Sequence, residues 1–392
     1  MECASEKSNN ISNVSSACCG CDACVAVCPK HCISMVEDEH GFLKPFVDQD
    51  ACISCGLCRR ACPVLFEGPE DSHERAYWAQ AQNGDLLRSS SSGGVFGLLA
   101  TKTLRAGGMV VGAAFGEGAK SVRHRAIERM EDLPLLQSSK YVQSFVPVEL
   151  YHSVEGALHQ RRNVLFSGTA CQVSALRGCL GKSFSSEHLT CVDVICHGVP
   201  SPLLWRSWIS HLESLVGFPL CKVNFRDKRT GWSSYSVSYQ FADESEIAHP
   251  VADDWYMNAF LNNLSLRQSC FSCPSKGRCG SDITLGDFWG VRWCHPEVER
   301  EPGVSCVIVR TDKGVRALDS LEDELSYGAS SFESVLKGNP SLVRSSARNP
   351  RYGELMTRLG AGDDVESLMN SFKFERKHLG YIANALKTLF RL

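Results

Sequence analysis

The chain has 392 residues, enough for two or three compact domains, and its 43% of hydrophobic residues can supply their cores. A formal net charge of −3 argues against a nucleic-acid-binding protein. No apolar run reaches the roughly 18 residues of a transmembrane helix, and the polar N-terminus lacks the apolar region of a secretory signal, so we expect a cytoplasmic protein. In that reducing compartment, 21 cysteines indicate metal ligation and not disulfides.

Two cysteine runs of the form C-x2-C-x2-C-x3-C-P stand near the N-terminus and repeat at an offset of 34 residues. Three thiolates at this spacing wrap one cubane, and the fourth cysteine ligates the other cluster. A zinc ribbon uses paired C-x2-C knuckles and does not fit. The runs predict two 4Fe–4S clusters, one held by Cys18, Cys21, Cys24 and Cys62, the other by Cys28, Cys52, Cys55 and Cys58. Cys19 and Cys32 lie outside the pattern and are expected to have no role.

Short strands at 33–36 and 42–47 are expected between the runs, and the polar stretch 67–73 is interpreted as a linker. Strand and helix patterns then alternate, with a polar turn expected at 85–92. Strands are predicted at 76–80, 109–115, 164–166, 190–195, within 223–241 and at 283–285, and helices at 95–105, 150–162, 174–180 and 202–215. This order predicts an α/β (α+β) fold with a mixed, largely parallel sheet.

Four later cysteines stand where open α/β sheets place ligand sites. Cys171 and Cys196 each follow a predicted strand, and the carboxyl ends of neighbouring parallel strands meet at one edge. With the loop pair Cys270 and Cys273, they are candidate ligands of one more metal centre. Two alternatives stay open: Cys171 can be a nucleophile beside His197, or Cys171 and Cys196 can be buried apolar fillers.

From about Ala76 to Tyr327 the chain resembles the beta-subunit family of coenzyme F420-reducing hydrogenase and dehydrogenase, in both its N- and C-terminal domains. The matching strings are SSSSGG at 89–94, SKYVQS at 139–144, VLFSGTACQ at 164–172, DVICHG at 193–198, FRDK at 225–228 and DITLGDFWG at 282–290. The resemblance implies an iron–sulfur flavoprotein that binds FAD and a further 4Fe–4S cluster. On that basis the third cluster is expected on Cys171, Cys196, Cys270 and Cys273, and the role of Cys279 stays open.

The resemblance also directs attention to a flavin site. Two glycines before a helix let the backbone approach a pyrophosphate, hydroxyl groups can donate hydrogen bonds, and a lysine can neutralise phosphate or polarise a flavin oxygen. The candidate FAD-binding residues are Ser91, Ser92, Gly93, Gly94, Lys140 and Thr169. The bland alternative is an ordinary serine-rich loop with an unremarkable glycine pair.

We therefore expect a ferredoxin domain at 1–68, the family's N-terminal domain at 74–150, its C-terminal domain with FAD and the third cluster at 151–330, and a helical tail at 331–392. A basic amphipathic helix is expected at 371–392, either as a partner or membrane-surface helix or packed on its own domain.

The functional hypothesis is an FAD- and iron–sulfur-dependent oxidoreductase. Electrons would pass from a redox partner protein or reduced ferredoxin to an organic acceptor, with a deazaflavin-like coenzyme among the candidates. The alternative is an electron-transfer adaptor subunit of a larger hydrogenase or dehydrogenase, without a substrate of its own. The sequence indicates no catalytic residue and does not identify the acceptor.

Overall fold

A computed structural model describes residues 9–66, 68, 70–71 and 75–374. The strands are β1 Ile33–Glu37, β2 Leu43–Val47, β3 Arg75–Ala81, β4 Met109–Phe115, β5 Val122–Ile127, β6 Ser144–Phe145, β7 Val164–Thr169, β8 Leu189–Val194, β9 Leu220–Asp227, β10 Ser236–Phe241, β11 Glu246–Pro250, β12 Ile283–Asp287, β13 Ser305–Val309 and β14 Leu325–Ser330. The α-helices are α1 Ala23–Ala26, α2 Leu57–Ala61, α3 Gly84–Ser89, α4 Val95–Arg105, α5 Val148–His159, α6 Ala170–Leu180, α7 Pro202–Val216, α8 Trp255–Leu261, α9 Val291–Cys294, α10 Asp312–Asp319, α11 Phe332–Gly338, α12 Tyr352–Gly360 and α13 Val365–Ser371.

The largest sheet has nine strands in the order β14-β3-β13-β12-β8-β7-β4-β5-β6. Its central strands β12, β8, β7 and β4 are parallel, while β13, β3 and β14 on one side and β5 on the other pair antiparallel. The central strands are largely apolar because helices cover both faces: α4 packs on one face, α5 and α6 on the other. The predicted mixed α/β class is confirmed.

A second layer is the antiparallel sheet β11-β10-β9, which shares a core with α7, α8, α12 and α13. The α7 helix begins with a Ser201 cap and Pro202 in its first turn and ends at Gly217, whose φ is +84°. Trp205 and Trp208 on one face of this helix are buried in that core. The predicted helical tail corresponds to α11–α13, and most of the predicted 371–392 helix lies outside the described residues.

The N-terminal ferredoxin module, residues 9–66 of the described chain, contains the predicted hairpin β1–β2 and the short helices α1 and α2. Its interior consists largely of cysteines together with Ile11, Ile33 and Val47. The module packs on the large domain through α1 and α2, which contact α6. So little aliphatic surface is buried inside it that this contact and the expected clusters must supply much of its stability.

Two local expectations change in the structure. Residues 84–89 form helix α3 where a turn was predicted, because the Asn83 side chain accepts a hydrogen bond from Leu86 N and caps the helix. The described part of the linker is fastened in place: the Asp71 carboxylate accepts hydrogen bonds from Cys279 N and Gly280 N, at 3.2 and 2.9 Å. Among the described helices, none has both the length and the apolar character needed to span a bilayer.

Two helical glycines give opposite predictions for the same substitution. A Cβ on Gly178 of α6 would lie 2.5 Å from the carbonyl oxygen of Ala61 in α2, whereas one on Gly156 of α5 would meet nothing within 4 Å. Gly178→Ala should therefore lower the free energy of unfolding by about 1–3 kcal/mol through overpacking. Gly156→Ala should raise it by roughly 0.5–1 kcal/mol through helix propensity. Denaturant unfolding under anaerobic conditions measures both, and equal signs would contradict the proposed contact.

Candidate iron–sulfur and flavin site

The eight ferredoxin cysteines fall into two spatial groups. Burial raises the pKa of Cys24, and negative charge on Cys21, Cys18 and Cys62 raises it further. The thiols of Cys28, Cys52, Cys55 and Cys58 line one cavity together with Cys32. Each group thus takes three cysteines from one run and the fourth from the other, which supports the crossed ligand sets predicted from the spacing.

The two groups differ in their distance from solvent. Cys55 of the outer group is exposed, and the neighbouring Ile53 has 58% of its surface exposed. The inner group faces the large domain, where the Tyr151 hydroxyl of α5 donates a 2.5 Å hydrogen bond to the carbonyl of Cys21. An electron arriving at the surface would therefore meet the outer group first and the inner group next.

The structure brings the four later cysteines together. Strands β7 and β8 are parallel neighbours, so Cys171 in the first turn of α6 and Cys196 just after β8 lie at the same sheet edge. An isolated bridge between Pro200 and Leu266 brings the loop of Cys270 and Cys273 to this edge. Burial raises the pKa of Cys196, and the next-largest cause is the charge of Cys270, with contributions from Cys171 and Cys273.

Four thiols are a donor set that suits a 4Fe–4S cluster, so the residues present fit the predicted third centre. In the described ranges no three His, Cys, Asp or Glu side chains are grouped to hold a single metal ion. Burial raises the pKa of the Cys196, Cys270 and Cys273 thiols, to about 12 at Cys270. Iron binding would displace these protons and relieve the burial of unpaired thiols.

Cys19, for which no role was expected, lies beside Cys171. A hydrogen bond with Cys19 lowers the pKa of the Cys171 thiol to about 6, and Thr169 Oγ1 lies 3.2 Å from the same sulfur. Cys19 also interacts with Cys21 of the inner group. It therefore connects the inner ferredoxin group with the third group.

The contacts of His197 do not place it as a base for Cys171. The imidazole of His197 lies edge-on to Phe260, with 5.1 Å between ring centroids, and the hydrogen-bonding neighbours of the Cys171 sulfur are Cys19 and Thr169.

Cys279 is buried, and its sulfur contacts Asp71 and Ser281 at 3.7 and 3.5 Å. It thus lies at the join between the linker and the β12 loop.

The serine-rich stretch closes against a second loop. Ser91 Oγ accepts hydrogen bonds from the backbone N–H and the hydroxyl of Ser139, at 2.7 and 2.9 Å. Ser92 Oγ donates to the carbonyl of Val304 at 2.8 Å. Ser91 is thereby held against Ser139, which directly precedes Lys140 in the chain. Thr169, in contrast, lies against Cys171.

Packing and backbone conformation explain why glycine stands at positions 93 and 94. A Cβ on Gly93 would lie 2.1 Å from the Ala79 carbonyl oxygen, and Gly94 has φ +83°. Both are required where the chain passes β3 and turns into α4. The helix α4 has no side-chain cap, so its N-terminus remains suited to an anion.

Lys140 is a buried cation without an acidic partner. Burial lowers its pKa to about 7, and its ammonium donates to the carbonyls of Gln137 and Ser138 at 2.6 and 3.2 Å. In the described ranges no carboxylate lies within ion-pair distance of it. Such a group gains from a bound anion such as a flavin phosphate.

Sequence analysis missed a second cation beside the serines. Buried Arg226 donates to the Ser91 carbonyl at 3.3 Å and pairs with Asp287 at 3.0 Å, while its Nε has no hydrogen-bond partner among the described residues. Asp287 also accepts from Trp232 Nε1 at 3.0 Å, and Trp232 stacks on Trp289 with ring centroids 5.0 Å apart. The signal was present in the strings FRDK and GDFWG, which contain Arg226 and Asp287.

Comparisons with known proteins find matches in both parts of the chain. Residues 161–334 match the family described as the C-terminal part of the coenzyme F420 hydrogenase/dehydrogenase beta subunit. Residues 17–65 match the 4Fe-4S dicluster domain, and residues 47–89 match the 4Fe-4S single cluster domain of ferredoxin I. These matches do not test the predicted domain boundaries, which stay a prediction.

Individual relatives cover the N-terminal module. Ferredoxin 7Fe of Hydrogenibacillus schlegelii is 45% identical over 42 residues, which are 11% of this chain and 47% of that protein. Pyruvate synthase subunit PorD of Methanothermobacter marburgensis is 40% identical over 47 residues, 12% and 48% of the two chains. The chain spans about half the length of these curated relatives. A chain from the F420-reducing NiFe hydrogenase complex of Methanosarcina barkeri aligns with 79% of this chain and 97% of its own, with 16% identity and a TM-score of 0.47.

The fold and the ferredoxin cysteines define an electron-transfer iron–sulfur protein that holds 4Fe–4S clusters. Residues 161–334 match the coenzyme F420 hydrogenase/dehydrogenase beta-subunit family, an oxidoreductase-type family, so the predicted resemblance is confirmed over that part of the chain.

One buried histidine near Lys140 makes the stability of this region depend on pH. His124 Nε2 donates to the Ser167 carbonyl at 3.0 Å, so Nδ1 accepts from the Ser144 hydroxyl at 2.8 Å and the ring is neutral. Burial lowers the pKa of His124 to about 4, and the charge of Lys140 adds to the effect. The native state therefore excludes a proton that the unfolded chain binds below about pH 6.5.

This histidine should destabilise the protein as the pH falls. The stability that depends on a neutral His124 is present above about pH 6.5 and is lost as the pH falls towards 4. The free energy of unfolding should therefore fall by about 2 kcal/mol between pH 7 and pH 5. In His124→Gln the free energy of unfolding should change less over that interval, whatever its value at pH 7. Denaturant titrations at both pH values test this, and an unchanged pH dependence in the variant would contradict it.

Proposed function

We propose that this chain is an iron–sulfur flavoprotein oxidoreductase. It takes electrons from a redox partner protein at the outer ferredoxin group and passes them through the inner group to a third 4Fe–4S centre. That centre is held by Cys171, Cys196, Cys270 and Cys273, and FAD receives the electrons for delivery to an organic acceptor.

The observation that carries the proposal is the convergence of four cysteines from three separate loops beside the inner ferredoxin group. Cys171, Cys196 and the Cys270–Cys273 loop meet at one sheet edge, and Cys19 joins this edge to Cys21. Chance packing of fillers would not gather four thiols next to a module that already contains eight predicted cluster ligands. The arrangement supports a continuous route for electrons from the solvent-facing Cys55 into the large domain.

The flavin part of the proposal rests on the polar and basic residues around Ser91. Bound FAD would supply the step between single electrons and a two-electron organic acceptor. Lys140 and the uncapped N-terminus of α4 supply positive charge for its phosphates. Arg226 is held by Asp287 and retains an unpartnered Nε–H, which can donate to a flavin or to the acceptor.

Metal and flavin content test the proposal directly. Anaerobically purified protein should contain about twelve irons and one FAD, with the flavin absorbance lost on addition of dithionite. The double variant Cys270→Ala/Cys273→Ala should retain about eight irons, because the ferredoxin module is intact. Cys221→Ala, which alters an exposed cysteine outside all three groups, should retain about twelve.

Wild-type protein with eight irons would refute the third centre, and the lack of bound FAD would refute the flavin site. If both cofactors are present, a screen of organic acceptors with chemically reduced ferredoxin as donor follows. Reduction of an acceptor supports the oxidoreductase. Failure with every acceptor, together with stoichiometric copurification of a separate catalytic protein, would favour the adaptor alternative.

Lys140 should contribute to flavin affinity. Lys140→Met removes the unpaired ammonium and should weaken FAD binding by about tenfold or more, equivalent to about 1.4 kcal/mol. Equilibrium dialysis of flavin-depleted protein with FAD measures this. Lys120→Met, which alters an exposed lysine paired with Glu213, is the matched control and should bind FAD like the wild type. Equal affinities for all three proteins would remove Lys140 from the site.

A further inference from the structure

Arg267 lies between the inner ferredoxin group and the third group. Its backbone belongs to the loop that carries Cys270, since Cys270 N donates to the Arg267 carbonyl at 2.9 Å. Its side chain reaches the ferredoxin module, where Nε donates to the Cys18 carbonyl at 2.6 Å and Nη2 to the Leu43 carbonyl at 2.5 Å. One residue thus joins two cysteine groups that are far apart in the sequence.

The guanidinium is buried without an acidic partner. Arg267 has 2% of its surface exposed, and in the described ranges no carboxylate oxygen lies within 4 Å of it. Its third contact is also neutral: Nη1 donates to Gln143 Oε1 at 3.2 Å. A buried cation with only neutral partners is costly unless negative charge lies nearby.

The chain makes room for this cation at Gly20. A Cβ there would lie 2.8 Å from Arg267 Nη1, and the backbone has φ +67°, which favours glycine. Gly20 N in turn donates to the Cys18 sulfur at 3.3 Å. The loop between Cys18 and Cys21 is therefore shaped to accept the guanidinium.

The contacts of Arg267 reach cysteine segments on both sides. On the ferredoxin side, the guanidinium lies against Gly20, whose N–H donates to the Cys18 sulfur. On the other side, the backbone carbonyl of Arg267 accepts from Cys270 N, and Gln143 links Nη1 to the carbonyl of Cys19. With iron bound, the thiolates of both groups would supply negative charge near the guanidinium.

We propose that Arg267 is a positioning residue that raises the reduction potentials of the inner ferredoxin cluster and the third cluster together. A cluster with four thiolates is anionic and gains one further negative charge on reduction, so a nearby cation favours its reduced state. The step concerned moves one electron from the inner cluster to the third, makes and breaks no bond, and draws the electron from the redox partner protein. Because Arg267 faces both clusters, it shifts both potentials in the same direction. The part that concerns the third cluster rests on the proposed function.

Redox titration of the holoprotein followed by electron paramagnetic resonance tests this. In Arg267→Met the potentials of the inner and third clusters should fall by about 59 mV or more, a tenfold change in a one-electron equilibrium constant. The outer cluster, held by Cys28, Cys52, Cys55 and Cys58, should shift less and serves as the internal reference. Arg267→Lys keeps the charge and should stay close to the wild type.

A second variant retains the guanidinium and tests how its positive charge affects the potentials. Gln143→Glu places a carboxylate beside Nη1, at the expense of the hydrogen bond from Gln143 Nε2 to the Cys19 carbonyl. It should lower both potentials even if Arg267→Met fails to fold. Lys276 lies against Cys196, whose carbonyl accepts from its ammonium at 2.5 Å, and it faces only the third group. Lys276→Met should therefore lower the potential of the third cluster and leave the inner one unchanged.

Unchanged potentials in Arg267→Met, or in Gln143→Glu where the first variant does not fold, would overturn the inference. An equal shift of the outer cluster would also overturn it, because it would indicate a general loss of structure. If iron analysis shows only eight irons in the wild type, the third centre of the proposed function fails. The inner cluster then still tests Arg267 independently.

Discussion

The parallel pairing of β7 with β8 is the constraint on which the rest of the site depends. Parallel neighbours end at the same edge, so the chain must leave both strands on one side of the sheet, and it does so with a cysteine each time. Helix α6 begins directly at this edge, with a capping box in which Thr169 and Gln172 exchange hydrogen bonds. Cys171 is thus fixed by secondary structure, and the bridge at Leu266 brings in the loop that carries Cys270 and Cys273.

The stability of the ferredoxin module depends on helices α5 and α6, which pack on the sheet beside this edge. Its interior is made mostly of thiols that burial holds in the protonated state, so the bare polypeptide has little of its own to keep it folded. Two kinds of interaction compensate: iron, which turns those thiols into ligands, and the surface of α5 and α6, against which α1 and α2 pack. The close approach of Gly178 to Ala61 shows how little space separates the two units. Cluster positions in the module are therefore tied to the large sheet, as short-range electron transfer requires.

Much of this organisation could be predicted from the sequence because local residue patterns determine it. Cysteine spacing defines the ferredoxin runs, and continuous apolar segments define β4, β7 and β8 together with helix α4, whose bounds matched at both ends. The parts that failed are long-range. Cys19 looked like a bystander because nothing near it in sequence shows that it meets Cys171, and Arg267 carries no motif that reports its contact with Cys18. Strand β13 also escaped notice, since its antiparallel place between β12 and β3 follows from no local signal.

Two buried arginines show how the protein uses the same side chain in opposite ways. Arg226 is neutralised by Asp287, and the pair lies beside Ser91 with Trp232 and Trp289 stacked next to it. Arg267 has no such partner, and its hydrogen bonds end on neutral oxygens. A paired guanidinium fixes geometry and adds little net field, whereas an unpaired one in a low-dielectric interior acts on every charge around it. The first arrangement suits a surface that must hold a planar ligand in one orientation. The second suits a junction where a single added electron must be stabilised on either side.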